Sequence, residues 1–142
     1  MTTQTAPAPL ATSPDLDEPY VLLVDDHQPS LLTLRDIVRM AGYRCMATGS
    51  ATDALSLCDL HAPTLVVTDL WMPQLDGQGL ARWLHARYPM LPILLMTGEY
   101  LDDPTLLRLR GIFSEVLTKP LQLDLFLGLL RRYMPPEEST AL

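Results

Sequence analysis

Four polar signals follow apolar runs, and each carries a side chain able to do chemistry. Asp25-Asp26 follows Tyr20-Val-Leu-Leu-Val24, Asp69 follows Leu65-Val-Val-Thr68, Thr97 follows Pro92-Ile-Leu-Leu-Met96, and Lys119-Pro120 closes a run over about 113–117. Lys119 is the only lysine in a chain with nine arginines, so an ordinary solvated role explains it poorly. Three carboxylates gathered at a low-dielectric edge repel one another unless a cation neutralises them. Oxygen donors that are few and open to water favour Mg2+ over Zn2+. An ammonium suits one phosphoryl oxygen as a compact point charge, and the Thr97 hydroxyl can donate to another. These are parts for in-line phosphoryl transfer onto an aspartate. No Ser nucleophile or His base arrangement points to acyl transfer.

Such chemistry needs a frame that brings distant residues to one edge. The run 20–24 is too short for a helix and reads as a buried strand. Leu31, Leu34, Ile37, Val38 and Ala41 then recur at helical spacing over 30–41, ended by Gly42. The alternation continues with a strand (about 43–47), a helix (about 51–60), the strand 65–68 and a loop over 69–77. A helix (about 78–88), the strand 92–96, a helix (about 103–110), a strand (about 113–117) and a helix (about 121–133) complete the set. Four of the five strands read as continuously hydrophobic, the mark of parallel strands covered on both faces. Right-handed crossovers make this a doubly wound α/β sandwich. Ligands in such folds sit beyond the carboxyl ends of the strands, where the strand order reverses. The four polar signals end four strands at that edge.

Composition narrows the classes further. The chain has 142 residues, 48% apolar, which is one domain with a real core. Its formal charge is −7 and it has no concentrated basic patch, which argues against nucleic acid as a direct partner. No apolar run reaches the roughly 18–20 residues of a membrane span, and the N-terminus has no secretory pattern. Cys45 and Cys58 form no CxxC pair and read as buried thiols, so the expected compartment is a reducing cytoplasm. Residues 1–19 hold four of the 13 prolines and read as a disordered leader. Residues 20–134 are the folded domain and 135–142 a short polar tail. His27, His61 and His85 lack ligand spacing, and the stripe Leu121, Leu125, Leu129 reads as core. Met72-Pro73 and Asp76-Gly77 read as loop architecture, with Pro fixing a turn and Gly permitting positive φ.

The ordered set Val24-Asp25-Asp26, Thr68-Asp69-Leu-Trp-Met72-Pro73 with Asp76-Gly77, Met96-Thr97-Gly98 and Leu117-Thr118-Lys119-Pro120 resembles the receiver domain of bacterial two-component response regulators. The resemblance covers roughly residues 19–134. It implies a flavodoxin-like (βα)5 fold with strand order 2-1-3-4-5. It implies that Asp69 accepts a phosphoryl group from the phosphohistidine of a sensor histidine kinase. Asp26 would then ligate Mg2+ directly, Asp25 through water, and the backbone carbonyl of Trp71 would add a ligand beside Asp69. Thr97, Gly98 and Lys119 would contact the phosphoryl group, and Pro120 would shape the following turn, often through a cis peptide. Output would pass to a protein partner over the face of the fourth helix, fifth strand and fifth helix. The chain would be a monomer or weak homodimer and, with no output segment after residue 134, a stand-alone receiver that catalyses only its own phosphorylation and dephosphorylation.

Two departures stand out. The family usually has Tyr or Phe three residues before the lysine, where this chain has Val116. Gly111-Ile112-Phe113 is also bulkier than the small pair usual there. Val116 leaves room for a phosphorylation-independent interaction domain as an alternative. An aspartate-nucleophile phosphatase of the haloacid dehalogenase type wants an acid two residues after its nucleophile, and Trp71 stands in that place.

Overall fold

The computed structural model describes residues 18–136. Most of the expected leader and tail, residues 1–17 and 137–142, lies outside the described residues. Five strands, β1 (Val21–Val24), β2 (Cys45–Thr48), β3 (Leu65–Asp69), β4 (Ile93–Thr97) and β5 (Glu115–Thr118), alternate with five helices, α1 (Gln28–Met40), α2 (Ala51–Leu60), α3 (Gly77–Arg87), α4 (Asp103–Arg110) and α5 (Leu123–Tyr133). All pairings are parallel, in the order β2-β1-β3-β4-β5. The doubly wound fold and its strand order are as expected.

The apolar side chains of the strands alternate between two cores. Leu22, Val24, Val66, Ile93 and Leu95 meet Ala54 and Cys58 of α2, Leu80 and Leu84 of α3, and Leu109 of α4. Val21, Leu23, Leu65, Val67, Leu94 and Met96 meet Leu31, Leu34 and Val38 of α1 and Phe126, Leu129 and Leu130 of α5. Burying Phe126 alone contributes about 1.5–3 kcal/mol. Only the three central strands carry continuous apolar runs buried on both sides, β3 ending in Thr68-Asp69 and β4 in Thr97; β2 and β5 are edges and partly exposed. One continuous hydrophobic strand fewer is therefore present than the sequence pattern led us to expect. The Leu121-Leu125-Leu129 stripe is also corrected: Leu125 is exposed, and Phe126 and Leu130 join Leu129 in the core.

Local signals fix the ends. The His27 side chain accepts from the Ser30 N–H, Ser50 from Asp53, Asp76 from Gly79 and Asp102 from Thr105, capping the first four helices. With His27 as cap and Pro29 in the first turn, α1 starts two residues before the apolar spacing does. Gly42 follows α1 with φ 97°, the left-handed stop that glycine supplies at least cost. Among the described residues no helix is long and apolar enough to cross a membrane.

Candidate functional site

The strand order reverses between β1 and β3, which diverge to opposite halves of the sheet. Asp25 follows the last residue of β1, and Asp69 is the last residue of β3. Asp69 pairs in register with Met96, so Thr97 stands one residue further along the neighbouring strand. Thr97 pairs with Thr118, which leaves Lys119 one residue beyond on the next. Parallel pairing thus carries four chemical groups to one edge.

There they converge. Lys119 Nζ lies 3.3 Å from Asp25 Oδ2 and 3.5 Å from Asp69 Oδ1. Carboxylate oxygens of Asp25, Asp26 and Asp69 all lie within 4.8 Å of one another. Asp25 is 3% exposed, with its other carboxylate oxygen accepting from the His27 N–H at 2.9 Å. Asp26 is exposed and Asp69 partly buried. Burial pushes the Asp69 carboxyl above its ordinary range, Lys119 opposes that shift, and the Asp25 charge adds to it. One ammonium thus pairs with two carboxylates of a cluster of three, a donor set of oxygens that fits a hard divalent cation such as Mg2+.

Thr97 is buried, and its hydroxyl oxygen accepts from the Glu99 N–H at 3.1 Å, which leaves its own hydrogen free to donate. The Thr97 carbonyl accepts from the Lys119 N–H at 2.8 Å and ties the ends of β4 and β5 together. A Cβ on Gly98 would meet the Lys119 side chain at 3.9 Å, so Gly98 borders the lysine stem. Lys119-Pro120 is a cis peptide. Trp71, two residues past Asp69, is 56% exposed. Val116 is half-buried against the α2–α4 core opposite Leu95.

Two features escaped the sequence pattern. His27 caps α1 while its N–H holds Asp25; its only signal was adjacency to the acid pair. Asp76-Gly77 is no positive-φ turn: Asp76 caps α3, Gly77 is its first residue, and the left-handed residue of the loop is Gln74, with φ 73°.

Residues 21–131 match the family model of the response regulator receiver domain. The chain belongs to that family. It is similar to the response regulator protein FleR of Pseudomonas aeruginosa, 34% identical over 113 residues that make 80% of this chain and 24% of FleR. It is 23% identical over 116 residues to the polar-differentiation response regulator DivK of Brucella ovis, covering 80% of this chain and 94% of DivK. The receiver domain of HemR from Leptospira biflexa superposes with a TM-score of 0.71 at 30% identity, over 85% of this chain and 98% of that one. The receiver thus spans about a quarter of FleR and nearly all of DivK. It is a response regulator receiver of two-component signalling, a signalling domain.

Proposed function

We propose that this receiver accepts a phosphoryl group on Asp69 from the phosphohistidine of a sensor histidine kinase and passes the signal to a protein partner in the cytoplasm. In that step an Asp69 carboxylate oxygen forms a bond to phosphorus as the phosphorus–nitrogen bond breaks, and the imidazole leaves with the bonding pair. Lys119 draws one phosphoryl oxygen toward the carboxylates, and Thr97, with its hydrogen free, donates to another. The Gly98 backbone borders the same space, and Pro120 sets the turn that aims Lys119. Asp25, Asp26, Asp69 and the Trp71 carbonyl would hold Mg2+, which supplies charge neutralisation for the transferring group. A groove of about 320 Å³ opens beside Lys119, between the start of α1 and the turn before α5, and leaves that side accessible to a donor.

The observation that carries this reading is the convergence of Lys119, Asp69 and Asp25 within 3.5 Å at the switch point of the sheet. The output face would be α4, β5 and α5, where Leu107, Leu123 and Leu125 are exposed. The folded unit would run over 20–134, acting alone as monomer or weak homodimer or within a longer chain. It would catalyse only its own phosphorylation and dephosphorylation.

Incubation with acetyl phosphate and Mg2+ tests the proposal. Intact mass should rise by about 80 Da, and the adduct should vanish in Asp69→Asn. Val116 supports a second reading, an interaction domain that needs no phosphate. Absence of any adduct, with partner binding intact in Asp69→Asn, would favour it.

A further inference from the structure

We propose that Gly77 is a positioning residue for the phosphoacceptor: the bare first residue of α3 is the surface against which the Asp69 peptide is set. This rests on the reading of Asp69 given above. A Cβ built on Gly77 collides with the Asp69 carbonyl oxygen, and it would stand only 3.2 Å from Leu70 Cα. Both neighbours are backbone, so no side-chain rotation relieves the clash.

Glycine is not needed here for its φ, since Gly77 is not among the residues of positive φ. It is needed for proximity. The Gly77 N–H donates to the Leu70 carbonyl at 2.9 Å and closes residues 70–77 into a ring. Inside that ring Leu75 N–H donates to the Pro73 carbonyl at 2.8 Å around the left-handed Gln74. From the other side the Thr68 hydroxyl donates to the Asp69 carbonyl at 3.0 Å. The Asp69 peptide is therefore held between a hydroxyl and a helix start that carries no side chain.

Which partner yields to a side chain at 77 follows from burial. α3 is fixed by Leu80, Ala81 and Leu84, all 0% exposed, and by the Asp76 cap at 2.9 Å. Leu70 is anchored in the core as well, at 3% exposed, but Asp69 is the last paired residue of its strand and is only partly buried. The acceptor end moves, and with it the carboxylate that must stay in line with Lys119. Displacements well under 1 Å matter in a site that works by alignment.

The test is Gly77→Ala made in a Gly128→Ala background. A Cβ at Gly128 meets nothing within 4 Å, so that change is the same chemistry in open space. Adduct formation with acetyl phosphate at saturating Mg2+, Mg2+ affinity by calorimetry and the circular dichroism spectrum are measured, with Leu84→Ala as a control destabilised within the same helix. We expect Gly77→Ala to keep its spectrum, form the adduct at least tenfold more slowly and bind Mg2+ at least fivefold more weakly. Gly128→Ala alone and Leu84→Ala should stay within twofold of wild type in both. Wild-type rate and affinity in Gly77→Ala overturn the inference, as does a parallel loss in Leu84→Ala. A Gly77→Ala chain that does not fold also overturns it, because α3 rather than the acceptor loop would then have given way. Failure of the wild type itself to form an adduct removes the reading of Asp69, and this inference with it.

Discussion

The Lys119 ammonium stands 3.5 Å from the Asp69 carboxylate, and the side chain that brings it there is only 28% exposed. Its second partner, Asp25 at 3.3 Å, is almost wholly buried. A buried carboxylate stripped of its paired cation bears a desolvation cost that its remaining hydrogen bond offsets only in part. Lys119→Met should therefore destabilise the metal-free protein by about 1–3 kcal/mol, below the value for fully buried pairs because Lys119 remains partly solvated. Urea unfolding in chelator measures this, and an unchanged midpoint would count against the pairing.

Mg2+ should act in the opposite direction. A cation that binds the folded acid trio stabilises by mass action, about 1.4 kcal/mol at ten times its Kd. Thermal melts with Mg2+ and with chelator should differ accordingly, and Asp69→Asn or Asp26→Asn should shrink the difference. Equal melts at saturating Mg2+ would mean the cluster holds no such ion.

Alkaline pH gives a separate handle on the α2–α3 side of the core. Burial, aided by Asp59 and opposed by Arg87, pushes the Cys58 thiol up to about 11. Below about pH 7.5 the thiol is protonated whether folded or unfolded, so it contributes no pH dependence there. From about pH 8 to about 11 the unfolded thiol ionises first, and folding loses stability as pH rises. Tyr20, also raised chiefly by burial, adds to the same trend. The urea midpoint should thus fall from about pH 8 to about pH 10.5, and by less in Cys58→Ala; a fall of the same size in that variant would show that the thiol is not the cause.

What the chain reveals before folding follows the range of the forces involved. Alternation of short apolar runs with 3.6-residue periodicity is local, so all five strands and all five helices were legible, with ends one or two residues off. The ends moved where a cap outranked hydrophobicity, as His27 and Pro29 did for α1. The acids, Thr97 and Lys119 were legible because parallel pairing delivers every strand end to one rim. Gly77 was legible only as a loop residue, because its constraint is the Asp69 carbonyl, a backbone contact that no side-chain pattern encodes. Leu125 was misplaced because helical spacing names a face without its centre, and Phe126 took that centre.

Gly128 lies within α5, where a glycine costs roughly 0.5–1 kcal/mol relative to alanine. A Cβ there meets nothing within 4 Å. Gly128→Ala should therefore raise stability by about that amount, read as a higher urea midpoint with an unchanged slope. A lower midpoint would mean the position is more crowded than its surroundings indicate.

Trp71 bears on how long the signal lasts. An aspartyl phosphate is lost when water attacks the phosphorus in line with the Asp69 oxygen, so whatever crowds that approach lengthens its life. Trp71 is two residues beyond Asp69 and still 56% exposed, so its indole is not consumed by the core and is available to screen the mouth of the site. A short polar side chain there would leave the path open and could hold a water by hydrogen bonding. Trp71→Asn should consequently lose its phosphoryl group faster than wild type once the donor is removed, with the rate of adduct formation less affected. Following the decay by intact mass after rapid desalting decides the matter. Equal or slower decay in the variant would show that the indole does not guard the acyl phosphate.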